Sequence, residues 1–163
     1  DGLADCCDGL LAAVPPERRL EIMKDPRVGA FAAVGLGLFL LLKVSALASA
    51  TDATAALLLA PTLARWLLLL VTQQPMARPG GLGDEFGKNV TNGMIVQAAI
   101  VPFVVALIFI SWQSLLACGA AWITTLLLIR AARKRLGGVT GDVFGLVVEV
   151  SELVVLLLFA VQH

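Results

Sequence analysis

The sequence predicts an all-α membrane protein, a polytopic helix bundle that forms a single integral membrane domain over residues 1–163. Of its 163 residues, 59% are hydrophobic and only 15% are charged, whereas a soluble domain carries about a quarter charged residues. The mean hydropathy of +0.92 agrees with this. Several apolar stretches are long enough to span a hydrocarbon core of about 30 Å, so we expect about five transmembrane helices behind an N-terminal helical segment.

The N-terminal segment, residues 1–27, is expected to hold two short helices outside the bilayer core. The first covers residues 1–14 and ends at Pro15, because proline cannot continue a helix. Pro16 then stands at a helix-initiating position. The mixture of apolar and charged residues after it is typical of an amphipathic helix at the membrane interface, and Pro26 ends that helix.

Five apolar stretches follow, and each is predicted to span the membrane. They cover residues 28–50, 55–71, 94–110, 114–129 and 143–161. The polar segments 72–92 and 130–141 are expected as loops outside the bilayer. The GGLGDEFG sequence in the first of them predicts a flexible loop. The GGVTGD sequence before the fifth span could present backbone N–H groups to a phosphate.

The basic residues predict how the chain is oriented, because Lys and Arg near short loops stay in the cytoplasm. Ten of the twelve Lys and Arg residues fall in residues 1–27, 72–92 and 130–141, which five spans would place on one face. That face is therefore expected to be cytoplasmic, with the C-terminal His163 on the opposite side.

Composition also excludes some functions. The formal net charge is zero, with twelve basic and twelve acidic residues, so nucleic-acid binding has no electrostatic basis. The single His and the three Cys residues, Cys6, Cys7 and Cys118, have no spacing that would form a zinc or iron–sulfur site.

Three aspartates at the start of the chain are the first candidate site. Asp1, Asp5 and Asp8 stand four and three residues apart, so in a helix their carboxylates share one face and repel each other. A divalent cation would relieve this repulsion. Oxygen-only ligands suit Mg²⁺ or Mn²⁺, and Mg²⁺ keeps water and substrate phosphates in its other positions. A solvated acidic helix face is the alternative.

Four ionisable residues lie inside the predicted spans, where charge is costly and often functional. Lys43 is expected to extend its ammonium toward the far interface. Arg65 lies near the middle of its span and is expected to have a carboxylate or phosphate partner. Glu149 and Glu152 lie about 10 and 15 Å into the fifth span and share a helix face with Asp142.

These residues would form two acidic faces at the cytoplasmic end of the bundle, with Arg27, Arg65 and the basic loops between them. Carboxylates around Mg²⁺ with arginines nearby are the groups that transfer of a phosphorus group from a diphosphate requires. An ion-pair network that only holds the bundle together would explain the same residues, and that alternative stays open.

Three sequence blocks, DGLADCCDGL, ERRLEIMKDPRVGAF and GGVTGDVFGLVVEVSEL, resemble the cobalamin synthase family, the adenosylcobinamide-GDP ribazoletransferases. The resemblance implies an Mg²⁺-dependent enzyme of the bacterial or archaeal cytoplasmic membrane whose active site faces the cytoplasm. It would join adenosylcobinamide-GDP to α-ribazole or its 5′-phosphate, giving adenosylcobalamin or its 5′-phosphate and GMP. Its partners are then these small molecules and the lipid bilayer, and a homo-oligomer is left open.

The resemblance also implies roles for residues in each block. The first block would bind Mg²⁺ and the diphosphate, the second would contact substrate, and Asp8 is one carboxylate that could accept the hydroxyl proton. The expected catalytic residues are Asp1, Asp5, Asp8, Asp142 and Glu149, the expected metal ligands are Asp1, Asp5 and Asp8, and the expected substrate-binding residues are Lys24, Asp25, Arg27, Arg65 and Glu152.

The chain departs from the family pattern at Cys6, Pro26 and Ala32, and the last two flank the arginine turn. Similar proteins carry further membrane sequence before the first block, so the chain is expected to lack an N-terminal part of the bundle.

Two other functions compete with the family interpretation. A CDP-alcohol phosphotransferase also uses aspartates and Mg²⁺ at the membrane, but Asp5 and Cys6 occupy the Ala and Arg positions of its D-G-x-x-A-R start. A cation transporter could use Glu149, Glu152 and Arg65 as an ion path, although the spans show no convincing internal repeat.

Overall fold

The structure is a computed structural model that describes residues 1–161, except for the side chain of Leu82. Over this part the regular secondary structure is helical, apart from an isolated parallel β-bridge between Met76 and Val139. This confirms the predicted fold class. The predicted position of His163 lies outside the described residues. The helices are α1 (Gly2–Leu11), α2 (Pro16–Ile22), α3 (Ala30–Ala48), α4 (Ala53–Val71), α5 (Leu82–Lys88), α6 (Asn92–Ala98), α7 (Ile100–Ile108), α8 (Trp112–Leu136) and α9 (Gly141–Ala160).

Helix α9 lies at the centre of the bundle. It packs against α1, α3, α4 and α8, and its residues Val143, Val147, Val155 and Phe159 are fully buried. Among the described residues, α3, α4, α8 and α9 are the four helices that are long and apolar enough to cross a membrane. These helices correspond to the first, second, fourth and fifth predicted spans.

The third predicted span, residues 94–110, differs from the prediction. It consists of two short helices, α6 and α7, which meet at Ala99. Pro102 has no N–H to donate to the carbonyl of Ala98, and this missing hydrogen bond explains the break. A helix over residues 92–108 reaches about 25 Å, which is less than a hydrocarbon core of about 30 Å.

Two other predictions about the polar segments were wrong. Helix α8 continues past residue 129 through the basic RAARKR sequence to Leu136 and ends at Gly137, whose φ of 80° forms a left-handed cap. The GGLGDEFG sequence is largely helical rather than a flexible loop, since it forms α5. One turn of α5 is closed by an ion pair of 2.7 Å between Lys88 and Asp84, a spacing that stabilises helices.

The connections between helices gather at two ends of the bundle. At one end, the Ala77 N–H donates to the Val139 carbonyl at 2.8 Å, so the two polar segments meet as the orientation argument predicted. We call this the acidic end. At the other end, the Thr51 N–H donates to the Phe159 carbonyl at 2.9 Å.

Helix α1 is held at the acidic end by two arginines and by close packing. Arg19 donates to two carbonyls in the last turn of α1, at 3.0 and 2.7 Å, and Arg135 of α8 donates to one of them. These cations satisfy carbonyls that the helix leaves free. A Cβ on Gly2 would lie 2.6 Å from the Asp142 carbonyl oxygen, so α1 and α9 approach through their backbones.

Candidate active site at the acidic end

The predicted aspartates of α1 share one cavity with the charged residues that follow α2. This space, which we call the acidic cavity, has a volume of about 270 Å³. Its charged lining consists of Asp1, Asp5, Asp8, Lys24, Asp25 and Arg27. The structure therefore brings the predicted metal ligands together with the substrate contacts expected from the second sequence block.

Asp8 joins α1 to the start of α3. Its two carboxylate oxygens accept hydrogen bonds from the Gly29 N–H at 2.7 Å and the Ala32 N–H at 2.9 Å. This satisfies N–H groups that a helix start leaves free. A Cβ on Gly29 would lie 2.6 Å from one Asp8 oxygen, so the close approach requires glycine. Asp8 thus has a structural role that the sequence did not reveal.

Asp1 and Asp5 differ from Asp8, because within residues 1–161 neither side chain has a hydrogen-bond or ion-pair partner. Burial, followed by the negative charges of Asp142 and Asp8, raises the pKa of Asp5. The Arg78 guanidinium acts on Asp5 in the opposite direction and more weakly. The start of α1 therefore concentrates negative charge that a bound cation would stabilise.

Arg27 is fixed in a tight turn at the edge of the acidic cavity. Its Nε and Nη2 donate to the two carboxylate oxygens of Asp25 at 2.9 and 2.6 Å. These hydrogen bonds lower the pKa of Asp25 to about 2. The Arg27 side chain is still 87% exposed, so its remaining N–H groups are available to an anionic ligand.

Asp142 lies at the start of α9 and has partners from two segments. Its Oδ2 accepts from Thr140 Oγ1 at 3.1 Å and from Arg78 Nη2 at 3.4 Å, while Arg78 Nη1 approaches the Leu20 carbonyl at 3.4 Å. In the sequence, Arg78 is one of the basic residues of segment 72–92 that predict orientation, and it has no predicted role at the site. Its contact with Asp142 joins residues that are 64 positions apart, so no local sequence signal links Arg78 to the site.

Glu149 and Glu152 belong to an ion-pair cluster inside the bundle. Lys43 Nζ lies 2.9 Å from a Glu149 oxygen and 2.8 Å from a Glu152 oxygen, and Arg65 Nη1 lies 2.6 Å from the other Glu152 oxygen. The carboxylate partner expected for Arg65 is present. The expectation that Lys43 extends to the far interface was wrong, because two carboxylates within reach are stronger partners.

These glutamates do not bond to the aspartates of α1. Glu149 and Asp1 line a separate cavity of about 440 Å³, whose other lining residues are largely apolar. Glu149 and Glu152 form ion pairs, as the alternative raised from the sequence expected, and their catalytic and substrate-binding roles stay predictions. Of the second acidic face, Asp142 is the residue whose charge acts on Asp5.

Within residues 1–161, no three His, Cys, Asp or Glu side chains are grouped so that they could hold a metal ion. Asp1, Asp5 and Asp8 share the acidic cavity without forming the predicted three-carboxylate metal site. Mg²⁺ often takes only one or two carboxylates, with water and phosphate oxygens completing its shell. The unpartnered oxygens of Asp1 and Asp5 have the donor chemistry that suits such an ion.

The fold and the site define a polytopic membrane protein with a charged cavity at one end of its helix bundle. A family model described as "Cobalamin-5-phosphate synthase" matches residues 1–160. The chain belongs to this family, which confirms the resemblance drawn from the three sequence blocks.

Curated relatives agree with the family assignment. A protein of Roseiflexus sp. (strain RS-1) is 40% identical over 158 residues, covering 96% of this chain and 59% of the relative. Proteins of Stutzerimonas stutzeri (strain A1501) and Desulfitobacterium hafniense (strain Y51) are 44% and 38% identical, covering 99% and 96% of this chain and 67% and 65% of theirs. Each is named adenosylcobinamide-GDP ribazoletransferase.

The chain thus spans between 59% and 67% of the length of these relatives. No solved structure matches it.

Proposed function

We propose that this chain belongs to an enzyme that joins adenosylcobinamide-GDP to α-ribazole or its 5′-phosphate. The products are adenosylcobalamin or its 5′-phosphate and GMP. The observation that carries the proposal is the acidic cavity, where unpartnered Asp1 and Asp5 face the same space as Lys24 and Arg27. Carboxylates for a cation together with cations for phosphate oxygens suit a diphosphate substrate. The names of the relatives supply the particular substrates.

Asp1 and Asp5 would hold Mg²⁺, with Asp8 as the third carboxylate of the cavity. When bound, the ion neutralises diphosphate oxygens and favours departure of the leaving group. Lys24 and Arg27 add positive charge along the diphosphate and orient it. Two substrates held in this way react with less loss of translational and rotational freedom than they would in water.

The transfer exchanges one P–O bond for another. A hydroxyl oxygen of α-ribazole attacks the phosphorus attached to the cobinamide arm, and the bond from that phosphorus to the GMP oxygen breaks. GMP leaves with the electron pair, and the hydroxyl proton passes to a carboxylate of the acidic cavity. Asp8 is the weaker acceptor, because two backbone N–H groups already bond its oxygens.

We propose that the acidic end faces the cytoplasm of a bacterial or archaeal cell. Support comes from the basic residues of the two polar segments and of α2, which are retained on the cytoplasmic side of membranes. Soluble substrates would then reach the acidic cavity from the cytoplasm.

The experiment measures GMP release from adenosylcobinamide-GDP by membranes that contain the full chain. Release should require both α-ribazole and Mg²⁺ and stop when the metal is chelated. Asp5→Asn should reduce it by at least about 100-fold. Asp52→Asn is the matched control, since Asp52 caps α4 at the opposite end of the bundle and an amide oxygen can still accept that bond.

GMP release that ignores Mg²⁺ or survives Asp5→Asn would refute the proposal. Turnover of CDP-diacylglycerol in the same membranes would favour the phosphotransferase alternative, and cation flux unaffected by Asp5→Asn would favour the transporter.

A further inference from the structure

A further cavity at the acidic end is lined by Asp142 and by the two glycine-rich sequences. It has a volume of about 500 Å³ and is lined by Arg78, Phe86, Phe144 and Asp142, together with glycines of both glycine-rich sequences, Gly83 and Gly141. We call it the glycine cavity. Its volume falls within the range of small-molecule sites, about 300–1,000 Å³. Neither the family assignment nor the acidic cavity gives it a role.

Backbone hydrogen bonds build this cavity from two distant segments. The Ala77 N–H donates to the Val139 carbonyl at 2.8 Å, and the Val139 N–H donates to the Pro75 carbonyl at 2.9 Å. A Cβ on Gly83 would lie 3.0 Å from the Gly141 Cα, so α5 and α9 approach closely there. The walls are therefore fixed in the folded protein, because glycine at both positions lets the backbones of α5 and α9 meet.

Arg78 gives the cavity its positive group. Two of its N–H groups donate in long contacts of 3.4 Å, one to Asp142 and one to the Leu20 carbonyl. A guanidinium has five donors in a planar fork that matches phosphate oxygens, so most of its donors stay available. The charges of Arg78 and Asp142 both act on Asp5, so the Arg78 guanidinium lies near an aspartate of the acidic cavity.

Two aromatic rings give the cavity flat apolar surface. Phe144 is buried, while Phe86 is 46% exposed although it lies on a helix at the acidic end. Aromatic side chains stack on nucleobases, and this stacking contributes to the binding of nucleotides. An arginine beside aromatic surface matches a nucleotide, which joins an anionic phosphate to a planar base.

We propose that the glycine cavity binds the guanosine monophosphate half of the diphosphate substrate, with its phosphate on Arg78 and its base against Phe86 and Phe144. This inference rests on the proposed function. The leaving phosphate gains negative charge as its bond to the cobinamide phosphate breaks, so it needs a cation. The attacking hydroxyl instead loses a proton, which suits the acidic cavity. The two cavities would then hold the two nucleosides on either side of the reacting phosphorus.

The test measures GMP binding to the purified full chain by calorimetry, without turnover. Arg78→Gln should weaken binding by at least about tenfold, and Arg78→Lys should recover part of it, since the charge remains but the fork is lost. Phe86→Leu should weaken binding by about fivefold, because the stacking surface of the ring is lost. Phe86 is exposed, so the fold does not depend on its side chain. Thermal unfolding of each variant shows whether the fold is kept.

Matched controls come from the same residue types elsewhere in the bundle. Arg130→Gln removes an exposed arginine of α8, and Phe103→Leu removes an exposed ring of α7. Both variants should bind GMP like the parent protein.

The inference is overturned if folded Arg78→Gln and Phe86→Leu proteins bind GMP like the parent. It is also overturned if these variants lose affinity for α-ribazole 5′-phosphate and not for GMP. The two failures are distinguishable. If the protein releases no GMP but binds GMP in a way that depends on Arg78, the proposed reaction is refuted and the nucleotide site is retained. If GMP release is normal but GMP binding does not depend on Arg78, the nucleotide site is refuted and the proposed reaction is retained.

Discussion

At the scale of single residues, Asp8 combines a place in the acidic cavity with a structural contact. Its carboxylate receives two N–H groups from the start of α3, a helix that otherwise has no side-chain cap. The family's aspartate motif therefore also positions α3, which carries Lys43. Loss of activity in an Asp8 variant would not by itself separate these two roles.

A stability measurement separates them. Asp8→Ala should lower the free energy of unfolding by about 1 kcal/mol, because the α3 start loses its acceptor. Asp8→Asn should lose less, since its amide oxygen still accepts one of the two hydrogen bonds. Denaturant titration in detergent provides the measurement, and Asp1→Ala is the control, because the Asp1 side chain caps nothing. Equal unfolding of Asp8→Ala and the parent would contradict the capping role.

The sequence predicted the local part of this site and missed its distant partners. The spacing of Asp1, Asp5 and Asp8 was enough to place them on one face. The contact from Asp8 to Gly29 crosses 21 residues, and that from Arg78 to Asp142 crosses 64, so no local pattern reveals either one. Contacts between distant residues depend on how the helices pack, and the packing cannot be read from the local pattern of a single sequence.

At the scale of helices and segments, Gly138 decides whether the two polar segments stay joined. A Cβ there would lie 2.5 Å from the Ala77 nitrogen and 2.6 Å from the Pro75 carbonyl oxygen. Because both contacts are with backbone, no side-chain movement can relieve them.

Gly138→Ala should therefore break the pairing between the segments. We expect faster hydrogen–deuterium exchange at the Ala77 amide, which would lose its bond to the Val139 carbonyl. Gly119→Ala is the matched control, since nothing lies near a Cβ at this helical position. It should leave the exchange unchanged and stabilise α8 by up to about 1 kcal/mol. Protection of the Ala77 amide in Gly138→Ala would contradict the packing described.

The ion-pair cluster joins α3, α4 and α9. Lys43→Gln should destabilise the bundle by about 2 kcal/mol, because Glu149 is left without its partner inside the bundle. Adding Glu149→Gln should restore part of the loss, since the remaining Glu152 still pairs with Arg65. Thermal unfolding of the single and double variants measures this, and an additive further loss in the double variant would contradict direct pairing.

Apolar composition predicted the four long helices α3, α4, α8 and α9. The break in the third predicted span and the true end of α8 were harder to predict. The stretch around Pro102 is as apolar as a continuous span, so hydropathy did not show the break at Ala99. The basic RAARKR sequence is polar enough to resemble a loop. It stays helical because Arg and Lys are good helix formers and because the left-handed cap comes only at Gly137.

At the scale of the whole molecule, the two ends of the bundle give a direct test of orientation. Lys134 lies at the acidic end and Ser49 at the opposite end, and both are exposed. In a background with the native cysteines replaced by alanine, Lys134→Cys should react with an impermeant maleimide only from the cytoplasmic side. Ser49→Cys should react only from the other side. The reverse pattern would place the acidic end outside the cell.

The charge cluster of Lys43, Arg65, Glu149 and Glu152 also bears on how the protein is made. Its two cations precede their carboxylates by 87 to 109 residues, so α3 and α4 leave the ribosome long before α9. A lone charge at the bilayer centre costs about 2.5–3.5 kcal/mol on insertion scales. Because Lys43 and Arg65 carry the same sign of charge, neither can neutralise the other, and we expect both early helices to stay weakly inserted until α9 supplies Glu149 and Glu152. A nascent chain stopped before α9 would be a natural target for membrane proteases.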